Sequence, residues 1–517
     1  MIVRSWATAI LLFLASTAFA AKETDPAKLA QTHGYVRVSL PQLQSPATFK
    51  LHNLKTNKNT GFKHQPEDGP YSFGAWVPEG DYEIADTPGQ FVVKKGEMTE
   101  LGAVLKIQLG GYEYVWLPLQ HKEAAAEAEA AKTRLGALIG NVTAWQAPAP
   151  SMPIKSPVPA SNQGLVIELL ESYGRKVNKP PMAKQLREAR TFETLIPLAR
   201  QAVAPMVEEP GVDGQSNLYY GADFGQIRVR HADGTWGVVD SGTLDEIASV
   251  EGSDSRLVAG TRRGQILTSP DLGATWTLVK HLDRDEIVAD IDRVGPRWFV
   301  IAPQSAGLAD PWTLAGRVRV YSGVADDLSD LALLKELSIP KNTFGRLVGV
   351  AQPIVGQAQG TTYLINTMKE LQALDTTSMT WRTLSAPHTI NSFQISRDGT
   401  LLTINKIQGA FSKMSLSSDG GATWKQTSRP PYVISDAVFE TPESGEAMRI
   451  NLGAFANALE IYAYDPKIGD WRKTGETPAG CHVMLRDASY RQRFCLTTGG
   501  TILDQKEGGW AVEFANE

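Results

Sequence analysis

Between residues 35 and 119, apolar and polar positions alternate with a period of two in short runs. Tyr35-Val36-Arg37-Val38-Ser39-Leu40 is the clearest, and residues 47–51, 72–76, 81–84, 91–94 and 112–117 follow the same rule. Such strands bury one face and wet the other. Turn residues between them, among them Pro78-Glu79-Gly80 and Lys95-Gly96-Glu97, bring the runs into antiparallel pairs. The apolar face then needs a second sheet to cover it, which predicts a β-sandwich over residues 21–120. The pattern changes at residue 122. Seven alanines between Ala124 and Ala137, set among Glu123, Glu127, Glu129, Lys132 and Arg134, predict a helix over 122–138. Five prolines in residues 148–159 exclude helix and central strand and predict an extended linker. A zone at 164–203, with Leu165, Leu169, Leu170 and Tyr173 on one stripe and Pro180, Pro181 and Pro197 as breakers, predicts short helices. Residues 121–205 therefore read as a connector.

From residue 206 onward the chain repeats. Gly225-Gln226-Ile227 leads to Asp233-Gly234-Thr235-Trp236, and Gly264-Gln265-Ile266 leads to Asp271-Leu272-Gly273-Ala274-Thr275-Trp276. Gly500-Thr501-Ile502 leads likewise to Trp510. Equivalent tryptophans at 236, 276, 381, 424, 471 and 510 are 40, 105, 43, 47 and 39 apart. The gap of 105 is two units plus an insertion, and residues 298–339 fill it with strand-like Trp298-Phe299-Val300-Ile301 and Val318-Arg319-Val320-Tyr321. Seven units of about forty-three residues match the period of a four-stranded propeller blade, so residues 206–517 are expected to form a seven-bladed β-propeller. The expected fold is thus all-β dominated: a small sandwich, a helical and Pro-rich connector, then the propeller.

Two units carry a longer signature in register, Ser269-x-Asp271-x-Gly273-x-Thr275-Trp276 and Ser417-x-Asp419-x-Gly421-x-Thr423-Trp424. This pattern resembles the Asp-box, or bacterial neuraminidase repeat. Shorter forms follow at Asp375 to Trp381, Asp465 to Trp471 and Asp504 to Trp510. The large domain therefore resembles Asp-box propellers, a group that includes sialidase-like proteins, sortilin-type receptor domains and photosystem II stability and assembly factors. About 310 residues in seven compact units is most similar in size to the assembly-factor group. The resemblance implies that Asp271 and Asp419 shape hairpins between outer strands, where carboxylate and hydroxyl bond nearby N–H groups, glycine takes a positive φ and the following tryptophan, Trp276 or Trp424, is largely buried. Val77-Pro78-Glu79-Gly80-Asp81-Tyr82-Glu83-Ile84 also resembles a turn of prealbumin-like and carboxypeptidase-regulatory-like accessory sandwiches.

Composition narrows the function. Lys and Arg number 51 against 56 Asp and Glu, a formal charge of −5, which gives no basis for a nucleic-acid partner. No stretch after residue 20 is apolar for the eighteen or so residues a membrane span needs. Arg4, an apolar run over 7–14 and Ala18-Phe19-Ala20 read as a signal peptide over residues 1–20, and predict a periplasmic or secreted protein. The two cysteines, Cys481 and Cys495, lie in the exported part. Strand-like runs flank a turn at residues 487–490, so they are expected opposite each other on a hairpin, joined as a disulfide.

No catalytic set is evident. A sialidase would need three arginines, a tyrosine–glutamate pair and an acidic residue. Family sialidases carry Arg-Ile-Pro ahead of the first box, whereas this chain has Ser338-Ile339-Pro340 after it. Arg228, Arg230, Arg262 and Arg263 cluster early, but Arg228 and Arg230 read as one face of a solvated strand. The eight histidines show no pair at metal-ligand spacing, and the acidic run over 283–292 is interleaved with Arg284 and Arg293 and reads as a solvated linking loop. No metal or cofactor site is expected. The expected function is an exported, non-enzymatic binding or assembly protein whose propeller face holds a protein or glycan partner. The alternative is a secreted sialidase-like exo-glycoside hydrolase.

Overall fold

The computed structural model describes residues 25–40, 49–84, 90–110, 113–119, 122–145 and 209–514, except 223–224, 244, 284, 306–313, 342–353, 397, 406–412, 429–436, 442, 451–457, 479–480, 490, 498–500 and 508. The expected signal peptide, Pro-rich linker and helical zone over 164–203 lie outside the described residues.

The N-terminal part is a two-sheet sandwich. One sheet runs Val142–Ala144, Met98–Gly110, His33–Ser39, Ser72–Pro78, Lys63–His64, with Glu113–Leu119 paired to Met98–Gly110. The other runs Lys58–Gly61, Lys50–Asn53, Gly80–Ile84, Gln90–Val93. Phe49, Leu51, Val77, Tyr82, Ile84 and Val93 are buried, each 1% exposed or less. At the Pro78 turn the Tyr82 hydroxyl donates to the carbonyl of Pro78 at 2.9 Å, pinning the loop that Gly80 turns with φ 155°.

The expectation of one wet face fails for His33–Ser39. All of it from Gly34 on is buried, because the helix Lys122–Leu135 covers the side the second sheet leaves open. Ala131, Leu135 and Ile139 pack on Tyr35 and Met98, with Trp76 alongside. The Ala-rich helix is therefore joined to the sandwich.

Between residues 211 and 514 the described residues form seven four-stranded antiparallel sheets, each a meander in chain order, spanning 211–240, 247–281, 290–338, 356–385, 392–427, 437–476 and 481–514. A sheet with two apolar faces must be covered on both, and successive sheets do this for one another. Tyr219, Ile227 and Val229 of the first meet Ile247, Leu257 and Ala259 of the second, and equivalent clusters fill the following seams. The last seam joins the seventh sheet to the first: Leu485, Phe494 and Leu496 pack on Leu218 and Tyr220. There the Tyr220 hydroxyl donates to the Arg486 carbonyl at 2.6 Å, and Arg230 pairs with Glu513 and lies 5.0 Å over the Phe494 ring. The sheets thus close into a β-propeller. The third sheet fills the long tryptophan gap. Its outer strand Ala332–Ser338 lacks the repeat tryptophan, and Trp298 instead lies fully buried on Arg297–Ser305.

Three expectations need correction. Trp276 and Trp424 each stand just before the fourth strand of their sheet and are half-buried, packed on a seam cluster with part of the ring at the surface. Trp424 still bridges sheets, its Nε1 donating to the carbonyl of Ser385 at 2.8 Å, and buried Trp471 does the same to Ser428 at 3.0 Å. Arg228 and Arg230 are not solvated: their strand, Gln226–Arg230, is the third of its sheet, Arg228 is buried and Arg230 serves the closing seam. Cys481 and Cys495 are bonded, with Cα atoms 5.7 Å apart, but are not register partners. A bulge pairs Cys481 with Thr497 and Cys495 with Met484, and the bond crosses diagonally within the seventh sheet. Among the described residues no helix is long and apolar enough to cross a membrane.

Trp471→Ala should destabilise the propeller by about 3–5 kcal/mol as a large-to-small change in a buried cluster, and Trp424→Ala by about 1–3 kcal/mol because its ring is half-wet. Denaturant unfolding measures both; equal losses would contradict the difference in burial. The denatured, unreduced chain should titrate no free thiol, and reducing the bond should lower stability by about 3 kcal/mol for a loop of this size.

Candidate functional site

In a four-stranded meander the two hairpins lie at one end of the sheet, and the second-to-third loop and the link to the next sheet lie at the other. The propeller therefore has a hairpin end and a linker end. The sandwich is fastened to the linker end, over the first and second sheets. Arg263, in the second sheet's second-to-third loop, is fully buried. Its guanidinium donates to the carbonyls of Pro70 and, at 2.8 Å, Leu40, and lies 4.4 Å over the Tyr71 ring. The Tyr71 hydroxyl meets Thr243 Oγ1 at 3.2 Å and accepts from Gln265 Nε2 at 3.1 Å. Behind Arg263 stands buried Asp245, 4.0 Å away, whose carboxylate accepts from the Arg263 N–H at 2.7 Å. Arg262 pairs with Glu246 at 3.3 Å.

A second buried guanidinium organises the sandwich side. Arg37 is 0% exposed, on an alternating strand that would ordinarily wet such a residue. It donates to Glu100 at 2.7 Å, Glu127 at 2.5 Å, Ser39, Ser72 and the Ala124 carbonyl. Glu127 also accepts from the Tyr71 N–H at 2.7 Å, so one helix carboxylate ties the helix to the segment that enters the propeller. Burial pushes Glu100 up to about 7, against the pull of Arg37. Burial also raises Glu127, and holds Asp245 up to about 6 despite Arg263.

Two further polar groups occupy the third sheet. At its linker end the Tyr321 hydroxyl donates to buried Glu286 at 2.9 Å, beside Arg319 and Arg317. This has the ingredients of a tyrosine–glutamate pair with arginines. Arg319, however, is taken up by Asp283 at 2.6 Å, Glu286 at 3.0 Å and Glu336 at 3.0 Å, and Arg317 stands 3.8 Å from Asp285. Four carboxylates around two guanidinium groups leave no cationic clamp for a substrate carboxylate. Burial, then the Glu286 hydrogen bond, raises Tyr321 to about 12, away from a nucleophilic phenolate. The acidic run is therefore ion-paired rather than merely solvated. On innermost strands, Asp290 accepts from the Gly356 N–H at 2.8 Å and Asp292 accepts from the Tyr363 hydroxyl. Burial raises Asp290 to about 7, with repulsion from Glu209 adding to it, and raises Asp292 and Glu251 well above their ordinary values, with repulsion from Asp290 adding to it. Among the described residues no group of three or more His, Cys, Asp or Glu side chains is arranged to hold a metal ion.

The Ser-x-Asp turns lie at the hairpin end, away from all these groups. Asp271 accepts from the Thr275 N–H at 2.8 Å and hydroxyl at 2.7 Å and from Ser269, whose hydroxyl in turn accepts from the Gly273 N–H at 2.7 Å. Asp419, Ser417, Gly421 and Thr423 repeat the pattern. Hydrogen bonds from Thr423 first, then Ser417, lower Asp419 to about 2. Gly273 has φ +98°, and a Cβ there would stand 2.5 Å from Val239 of the preceding sheet, so only glycine fits. Sequence reasoning singles out neither Arg37 nor Tyr71, and it names Arg263 only as one of an arginine cluster. One signal was present: Ala124, Glu127, Ala131 and Leu135 share a helix stripe, and a lone glutamate in an otherwise apolar stripe demands a buried partner.

No family model matches the chain, and no curated protein matches it. Similar solved structures include YCF48 bound to a D1 peptide, 14% identical, TM-score 0.35, covering 53% of this chain and 84% of that one. YCF48 from Cyanidioschyzon merolae is 11% identical, TM-score 0.40, covering 58% and 95%. A Lactobacillus plantarum protein is 15% identical, TM-score 0.33, covering 52% and 84%.

Arg263→Met should cost about 3–5 kcal/mol, because it leaves Asp245 buried without its cation. It should also split thermal unfolding so that the sandwich melts ahead of the propeller. A variant that melts as the wild type would show that Arg263 does not fasten the two parts.

Proposed function

We propose that the chain is an exported, non-enzymatic binding or assembly protein that holds a protein or glycan partner on the linker end of its propeller. The observation that carries this reading is the fastening of the sandwich there by Arg263 and Tyr71. The sandwich there sits against the first and second sheets, through Tyr71 on Thr243 and Gln265 and through Arg263 on Leu40 and Pro70. Seven blades are our reading of the repeat and of the seven described sheets. The turns at Asp271 and Asp419 are read as Asp-boxes with a structural role, since their carboxylates are spent on their own hairpins. Export rests on the N-terminal sequence pattern, and the disulfide agrees with an oxidising compartment. The hydrolase reading draws only on the Tyr321–Glu286 contact, whose arginines are occupied.

Photo-crosslinking residues placed at exposed Lys341 and Thr389 on the linker end should capture a partner from the protein's own envelope fraction. The same groups at Lys467 and Ala422 on the hairpin end should capture none. The reverse pattern would refute this use of the propeller. The mature protein should release no fluorophore from an aryl sialoside; turnover lost in Tyr321→Phe would establish the hydrolase instead.

A further inference from the structure

The buried junction between sandwich, helix and propeller holds more carboxylates than guanidinium groups. Arg37, Arg262 and Arg263 face Glu100, Glu127, Asp245 and Glu246, three cations against four anions, so one negative charge is uncompensated. The imbalance centres on Arg37, which alone serves both Glu100 and Glu127. Glu100 Oε1 accepts from Arg37 and from the Gly102 N–H, whereas its Oε2 is buried with no hydrogen-bond partner. A carboxylate oxygen so placed is costly when charged and inexpensive when it carries a proton.

We propose that this cluster is a proton-controlled latch: a proton on the Glu100–Glu127 pair keeps the helix and the Tyr71 segment seated, and its release to solvent loosens the N-terminal unit on the propeller. The route is short. Glu127 bonds the Tyr71 N–H, and the Tyr71 side chain engages Thr243, Gln265 and Arg263 of the propeller. The charged and titratable groups around the pair, among the described residues, come from every packed element. Arg37 comes from His33–Ser39 and Arg263, backed by Asp245, from the propeller. On the same helix Arg134 is matched to Asp68 at 2.6 Å, with the Tyr35 hydroxyl 3.1 Å away, and adds no net charge.

The direction follows from linkage. Burial lifts Glu100 from its ordinary 4.5 to about 7, so its contribution to the fold is complete below pH 4.5 and lost progressively as the pH climbs to about 7. Beyond that it changes no further. Burial also raises Glu127, which widens the window without reversing its sign.

Hydrogen exchange of the mature chain tests the latch, with protection factors corrected for the intrinsic pH dependence of exchange. Helix amides over 124–135 and the Tyr71 amide should lose protection by about tenfold per pH unit between pH 5 and 7, then level off. Amides of Thr362–Asn366 and Glu370–Asp375 in the propeller should show no such trend. Glu100→Gln leaves one carboxylate for Arg37 and should abolish the slope. Glu127→Gln should do the same by removing the other charge, so either variant suffices if one does not fold. A wild-type helix whose protection is flat with pH, or variants that keep the wild-type slope, would overturn the proposal.

Discussion

Every sheet of the propeller has two apolar faces, and a four-stranded meander can cover neither by itself. That constraint forces the sheets into a ring, in which each fills the seam of its neighbour and the seventh must return to the first. The closing seam differs from the others in what it adds. Besides Phe494, Leu485 and Tyr220 it carries the Arg230–Glu513 pair and the Tyr220 bond to the Arg486 carbonyl, contacts between residues more than 260 positions apart. The Cys481–Cys495 bond lies in the sheet that makes this closure, in the cluster with Met448 and Ile461 of the sixth sheet. The Arg230–Glu513 pair thus bridges the one seam that chain connectivity does not join, while the disulfide braces the seventh sheet on its side facing the sixth.

The N-terminal unit meets the same problem differently. Its sandwich covers one face of His33–Ser39 with a second sheet and the other with an alanine-rich helix, and it places polar groups in the resulting layers. Arg37 and Arg263 are both fully buried; Arg37 is met by two carboxylates and a carbonyl, and Arg263 by two carbonyls, from distant parts of the chain. Burying a charge is tolerated only with such partners, so the two arginines define where helix, sandwich and propeller can sit relative to one another. Docking specificity comes from these polar groups, and the apolar clusters supply cohesion.

How much of this the sequence discloses depends on the range of the interaction. The propeller is legible because its signal is local and repeated: tryptophans near every forty residues, with turns rich in Asp and Gly that fold within a single hairpin. The third sheet was harder, since its outer strand has no repeat tryptophan and its largest aromatic, Trp298, points into the seam. Strand Met98–Gly110 and the covering of His33–Ser39 from both sides depend on partners sixty to ninety residues away, which alternation alone does not encode. The half-burial of Trp424 against the full burial of Trp471 has a related reason: periodicity shows that a ring packs, while its place before or within the fourth strand is set by the structure. The linker-end contacts were invisible, because Tyr71 and Arg263 are 192 residues apart and neither stands in a motif.

Closure of the ring is the claim on which the rest stands. A double-mutant cycle on Arg230 and Glu513, using Arg230→Met and Glu513→Gln, reads it directly, because these residues meet only if the first and seventh sheets are joined. A closed propeller requires a coupling energy of about 0.5–3 kcal/mol between the two changes. Strictly additive effects would mean that the seam is open and the architecture is not a closed propeller.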